Sequence, residues 1–366
     1  MDVRMMEIRS QLGWLVARGD AVIRWRTVND LFDADDPARD ELDLAMIENV
    51  LLDSPQVQQW LAHLRQAISD WRWHHSRPDT IENAMGKLLD FGLRRGIKAL
   101  DEAVDPVRDW LANPPSDDHM DGYWLSLCKS IASWGLVRSG YHDPAVAQHL
   151  QQRLDDLDEL VQSGRTDIYI DPDTFGDVPQ GRQGNRLVDP ALYDDPERGV
   201  RLPSIHDVLG LTVLPIQLRD PANVSKRDRL IAYLLQPEVQ TWQPGYGLMR
   251  TGQRQYYSIG WDAMLPGYAG PPYETRDSNQ LVQRLLLFAD QPAARAHPWF
   301  SRSVSYLDTF RTATGWCFPA SLLPARRVGY WVTGANVGLM AGRRTAALRE
   351  IESTFYRLLI LYRTGI

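Results

Sequence analysis

Cysteine is nearly absent: the 366 residues hold two, Cys128 and Cys317. A pair so widely separated builds no disulfide framework and suits a reducing compartment. No basic tract interrupts the chain, whose net charge is -7 with both signs interspersed, so a nucleic-acid partner is disfavoured. Long hydrophobic runs are missing too. The longest apolar, charge-free stretch, Val328–Gly342, is too short and too glycine-rich for a bilayer, which takes about 20 residues. The opening MDVRMMEIRSQLGWLV has no continuous apolar core of a signal peptide. A cytoplasmic protein without integral membrane association is expected. No credible metal-ligand set occurs, so neither a metal nor a cofactor is expected.

What is present is apolar and aromatic. Hydrophobic residues make up 44% of the chain, enough for a substantial core, and thirteen are tryptophan, a residue of cores and ligand surfaces. Trp242–Tyr268 concentrates the unusual residues: two tryptophans, four tyrosines, five glycines and two prolines, with Arg250, Arg254 and Asp262 as its only charges. Glycine and proline make the region 242–276 loop rather than helix, with room for a short hairpin. Aromatic faces held by turns beside a few charges suit a ligand pocket wall.

Elsewhere the period is helical. Arg4–Arg18, Asp20–Phe32, Glu41–Leu52 and Ser54–Ser69 read as helices, the last with Ser54 as N-cap and Pro55 at the first position. Tyr123–Ser139 and Ser204–Leu218 are apolar nearly all round and read as buried helices. Pro144–Gln162 is one-faced, with Val146, Leu150, Leu154, Leu157 and Val161 inward. Asn279–Gln291, Trp299–Thr312 and Thr345–Tyr362 complete the set. The segment 164–202 has no sustained period and reads as an irregular excursion able to cover a cavity mouth, with Ile168-Tyr169-Ile170 as a possible short strand.

A motif recurs. Asp53-Ser54-Pro55 leads to Val57 and Trp60, Asp105-Pro106 to Val107 and Trp110, Asp143-Pro144 to Val146, and Gln236-Pro237 to Val239 and Trp242. Each copy reads as a capped, proline-started helix with Val and Trp inward, the signature of a solenoid or a closed helical ring. With Gly140-Tyr141-His142-Asp143-Pro144, and Trp14-Leu15 before Asp20-Ala21-Val22-Ile23-Arg24-Trp25, the chain resembles the squalene-cyclase and prenyltransferase-like α/α toroid superfamily, whose bacterial members are largely uncharacterised. The resemblance implies an all-α fold, an (α/α) toroid of about six helix pairs in one domain over 1–366.

Several short motifs also have local explanations. Asp33-Ala34-Asp35-Asp36 has the letters of the class II terpenoid cyclase acid, but its place at a helix end in a run of charges reads as solvated loop. Asp155-Asp156-Leu157-Asp158-Glu159 is similar to a magnesium-binding cluster of isoprenoid synthases, yet helical spacing turns these acids to water. Asp171–Asp177 begins like a calcium loop, with Phe175 at a ligand position and Arg182 at the twelfth. The Asp, Cys and later His of protein prenyltransferases fail here, since no histidine follows Cys317.

Catalytic candidates are His206, Asp262 and Glu352. Asp207 makes a capping box with Ser204, whereas His206 has no local explanation and reads as either an acid–base group or a satisfied core histidine. Glu352 falls inside the apolar stripe of the closing helix, so it reads as a buried carboxylate, of a site or of a structural ion pair. Ligand-binding candidates are Trp71, Trp73, Arg254, Tyr256, Tyr257, Trp261, Tyr330 and Trp331, whose rings would line a cavity or fill a core. The function expected is a terpenoid-cyclase-like toroid acting on a small apolar ligand, isoprenoid among the candidates. The alternatives are a carbohydrate-active toroid using paired acids and a non-enzymatic helical-repeat interaction module.

Overall fold

The computed structural model describes residues 3–75, 77–114, 122–171, 180–182, 184–195, 198–252, 255–270, 273, 278–324, 332, 338–340, 342 and 345–365. Arg254, Tyr330, Trp331 and most of the calcium-like stretch lie outside them. The described residues are mostly helical, with one two-stranded sheet. None of their helices is long and apolar enough to cross a membrane. The chain divides into two compact units, residues 1–103 with 266–366, and residues 104–265.

The first unit begins with α1 (Val3–Arg18), α2 (Ala21–Asp30), α3 (Pro37–Asp40), α4 (Leu44–Leu52), α5 (Pro55–Ser69) and α6 (Ile81–Asp90). The Asp20 carboxylate starts α2 by accepting from the N–H groups of Val22 and Ile23 at 3.1 and 3.0 Å, orphan donors at any helix start. Ser54 precedes α5 as expected but makes no side-chain cap bond, and Pro55 supplies the start. Asp33, Ala34 and Asp35 lie exposed, while Asp36 caps α3.

α7 (Lys98–Ala112) crosses the division between the units. It corrects the repeat, because Pro106 lies inside this helix rather than at its start. The second unit continues with α8 (Gly122–Ser139), α9 (Pro144–Gln162), α10 (Ile205–Leu211) and α11 (Pro221–Leu234). Strands β1 (Leu248–Gly252) and β2 (Gln255–Ser258) form an antiparallel hairpin within the aromatic loop. Ile168–Ile170 gives only an isolated bridge, Tyr169 to Val188. Pro237 leads to a single 3-10 turn, Val239–Thr241, since Pro244 and Gly245 leave no room for a longer helix. The inward half of the repeat holds everywhere: Val57, Val107, Val146 and Val239 are buried, as are Trp60, Trp110 and Trp242.

α8 packs against α9 and α10, and is buried from Leu127 onward apart from Lys129 and Arg138. Gly210 allows α10 to approach α9, because a Cβ there would lie 2.8 Å from Leu150 Cδ2. α10 is shorter than the sequence expects: Leu214 takes a φ of +46° before Pro215, which lacks an N–H and disfavours helix in the residue before it. On α9, Asp156 and Asp158 are buried rather than turned to water. Asp156 accepts from Arg198 Nε at 2.5 Å, and Asp158 pairs with both Arg229 Nε and Nη2 at 2.9 Å. Distant arginines neutralise both acids, which makes their burial tolerable.

The first unit closes with α12 (Leu281–Phe288), α13 (Pro292–Ala296), α14 (Pro298–Asp308) and α15 (Ala346–Thr364). Tyr362, on the expected inward stripe of α15, is 51% exposed, with its hydroxyl donating to Asp33. Glu352 is fully buried, and its Oε1 accepts from the backbone N–H of Leu339 at 2.6 Å. Buried Lys87 of α6 donates to the carbonyl of Gly338, and Gln283 of α12 donates to that of Val332 at 3.0 Å. Three helices thus hold Val332, Gly338 and Leu339 through their main-chain groups.

Replacing Glu352 with Ala strands the Leu339 N–H and should cost about 1–3 kcal/mol. Glu352→Gln keeps a carbonyl acceptor and should lose less. Urea midpoints of the two variants check this, and equal losses would remove the fastening role.

Candidate functional site

The second unit contains a cavity of about 590 Å³. Two helices build its polar wall. Ser126 and Lys129 of α8 share one face with Ser130, at spacings of three and four residues. On α9, Gln148, His149, Gln152 and Arg153 repeat the same spacing, and all four reach the cavity. Leu111, Ala112 and Pro114 at the end of α7 add an apolar edge. Arg198, from the irregular excursion, completes the lining.

The charges are arranged unequally. Arg153 is buried and paired with buried Asp207, Nε and Nη2 donating to its two oxygens at 2.8 and 2.9 Å. The same guanidinium donates to the carbonyl of Val200 at 2.9 Å and to that of Arg198 at 3.3 Å. Burial pushes the Asp207 carboxyl up, but Arg153 and the Ser204 bonds outweigh it and hold it below the usual carboxylate range. Arg198 is tied to Asp156 and Glu159. Lys129, half-buried, makes no ion pair among the described residues. Among the described residues, three cations therefore line the cavity and no carboxylate does. The acids stand behind the arginines.

His149 faces the same space. Its Nε2 lies 3.0 Å from Ser130 Oγ. Burial, then the charge of Arg153 and, more weakly, of Lys129, lower its pKa to about 3 against an opposing pull from Asp207. The ring is neutral at physiological pH, and as a general base it would be weak.

Ser126 and Arg153 also line a second, smaller space of about 40 Å³. Tyr123, Leu127, Leu202, Ile259 and Trp261 give it largely apolar walls. Tyr246 and Trp261, both on this wall, have φ of +60° and +57°. Bulky residues reach that region only where the surroundings enforce it, at a cost of about 1–3 kcal/mol each. The enforcement is visible. The Tyr246 hydroxyl donates to the Pro203 carbonyl at 2.6 Å, Ile205 N–H donates to the Trp261 carbonyl at 2.7 Å, and Gly260 N–H to that of Gly245 at 2.8 Å. Both strained turns are thereby fixed to each other and to the start of α10.

The residues singled out from sequence fall in both units. His206 is fully buried between the rings of Trp134 and Trp261, at centroid distances of 6.5 and 6.1 Å. Asp207 forms the expected capping box with Ser204. The Asp262 carboxylate accepts from the backbone N–H groups of Gly245 and Met264, which braces the aromatic loop. Neither His206 nor Asp262 lines the cavity. Tyr256 is buried against Leu187 and Leu248, and Tyr257 is 47% exposed. In the first unit Trp71 stacks on buried Trp73 at 5.7 Å and is itself 42% exposed, while Glu352 serves the main chain of Leu339. Only Trp261 among these touches the paired spaces. The residues missed, Lys129, Ser130, His149 and Arg153, carry one signal: polar side chains at helical spacing on two helices that the sequence places next to each other.

No family model matches the chain, and neither a curated protein nor a solved structure matches it.

His149 gives a pH signature. Its ordinary value of 6.5 exceeds the folded value of about 3, so across that window the unfolded chain binds a proton that the folded one does not. The contribution of this group is complete above about pH 6.5 and is lost as pH falls toward 3. His149→Gln should flatten that part of the stability profile, measured by urea unfolding between about pH 7 and pH 4. An unchanged slope would contradict the neutral, enclosed ring. Arg153→Met, which leaves Asp207 buried without its partner, should cost about 3–5 kcal/mol by the same measurement.

Proposed function

We propose that the second unit binds a small organic anion in the cavity between α8 and α9. The carrying observation is the lining formed by the described residues: among them are three cationic side chains, no carboxylate, and a lysine that makes no ion pair. A half-desolvated cation without a counter-charge is unfavourable in an empty site and gains when an anion arrives. The described residues put one sign of charge on the cavity walls, which raises the local concentration of anions. Arg153 and Arg198 contribute positioned dipoles rather than free charge, since their carboxylates neutralise them. The described lining gives no support to glycosidase chemistry, which uses two carboxylates across the cavity.

A second reading rests on the rings of Trp134, His206 and Trp261, which meet beside the apolar recess. It is the terpenoid-cyclase-like reading: an (α/α) toroid holding an apolar ligand against aromatic walls. The recurring inward Val and Trp residues support it. The polar lining of the larger cavity favours the anion.

Lys129→Gln separates the two. The ligand-free variant should be as stable as the parent or more so, while its affinity for small carboxylates or inorganic phosphate falls about tenfold or more. Thermal shifts at about 10 mM anion read both quantities. If no anion raises the melting temperature of the parent protein, the reading fails.

A further inference from the structure

The recess beside the cavity narrows the ligand class, on the premise that the cavity binds an anion. We propose that the ligand is a short-chain carboxylate, its carboxylate on Lys129 Nζ and His149 Nδ1–H and its short aliphatic branch in the recess walled by Leu202, Ile259 and Trp261.

Three observations lead there. The first concerns the donors. Among the described residues the Ser130 hydroxyl has one hydrogen-bond partner, His149 Nε2 at 3.0 Å. A buried hydroxyl hydrogen needs an acceptor, so it goes to the Nε2 lone pair, and the imidazole proton then sits on Nδ1. The cavity wall thus offers one ammonium and one neutral N–H. Lys129 and His149 both line the cavity, and the charge of Lys129 is felt at the His149 ring, so the two donors are neighbours. Two donors match the two oxygens of a carboxylate.

The second concerns what is already occupied. A phosphate dianion would be expected to recruit the guanidinium groups. Arg153 has both oxygens of Asp207 and two main-chain carbonyls, and Arg198 has Asp156 and Glu159. One uncommitted positive charge suits one negative charge.

The third concerns size and polarity. The recess holds about 40 Å³, room for roughly two or three non-hydrogen atoms by comparison with the space one water needs. Its walls are mainly aliphatic and aromatic. Ser126 stands at the junction, three residues before Lys129 on the same helix face, so an anion at Lys129 and a group in the recess are within the reach of one small molecule. Gly199, at a φ of +63°, presses on the junction: a Cβ there would fall 2.6 Å from Ser126 Oγ. With two strained aromatic residues on the same wall, the recess has a fixed shape and will discriminate by size.

The test is calorimetric titration of the full chain with acetate, propionate, butyrate, valerate and hexanoate, and with inorganic phosphate. Affinity should rise by about fourfold to tenfold per added carbon until the recess is full, then fall for the longer chains. Leu202→Ala should move the optimum to a longer chain. Ile259→Val, a milder change in case Leu202→Ala does not fold, should weaken the parent's best ligand relative to the next longer one. Ser130→Ala should weaken every carboxylate by releasing the His149 tautomer. A flat series, weakened throughout by Lys129→Gln, would overturn the recess assignment and leave the anion reading standing. Binding of phosphate but of no carboxylate would do the same. Binding of neither would overturn both. An optimum that both wall variants leave in place would also defeat the proposal.

Discussion

Two buried charges, the Arg153 guanidinium and the Asp207 carboxylate, set the arrangement of the second unit. Arg153 stands on α9 and Asp207 in the first turn of α10, so their bidentate contact fixes one helix against the other. The remaining guanidinium donors take the carbonyls of Arg198 and Val200 and draw the irregular segment over α8. Asp207 also closes the capping box with Ser204, and the next residue, Ile205, ties α10 to the Trp261 turn. Placing ions in a protein interior is costly, and breaking such a pair is costlier than never having built it. The geometry is therefore held more by the penalty of separation than by net attraction.

That arrangement decides what the cavity can offer. Arginines that serve as structural ties have little charge left for a ligand, which leaves Lys129 as the source of attraction and His149 as a neutral donor. The imidazole stays uncharged because its burial disfavours the charged form and two cations stand near. Selectivity then comes from walls rather than from charge, and the walls are held by Tyr246 and Trp261 in a backbone region that only a constrained loop can impose. The aromatic loop contributes by shape, through turns and rings that fix one edge of a small recess.

Where the chain's own local rules decide the outcome, the sequence was readable. Ser204 and Asp207 closing a box, Pro144 starting α9 and the inward Val and Trp residues all follow from neighbours within one turn. The predominantly helical fold and the hairpin in the 242–276 region were legible for the same reason. The failures share a different cause. Helical spacing alone sends Asp156 and Asp158 to water, because it carries no information on Arg198 and Arg229, which arrive from 42 and 71 residues away. Pro106 looked like a helix start because the motif around it repeats, whereas α7 had already begun at Lys98. The site was hidden by a preference for rare residues. His206, Asp262 and Trp71 attract notice individually, while Ser126, Lys129, Gln148 and His149 become meaningful only when two ordinary helical faces are laid together.

The three anchors of the first unit have a consequence for how this protein can change over time. Lys87, Gln283 and Glu352 grip Gly338, Val332 and Leu339 by carbonyl and amide groups, which every residue except proline supplies in full. The anchors recognise a path, not a sequence. Selection to preserve the fastening would therefore fall on α6, α12 and α15, and the gripped residues would be free to drift as long as their backbone keeps its course. In a set of relatives, the helix positions should stay fixed while the fastened stretch varies, the reverse of the usual expectation that a tightly held segment is a conserved one.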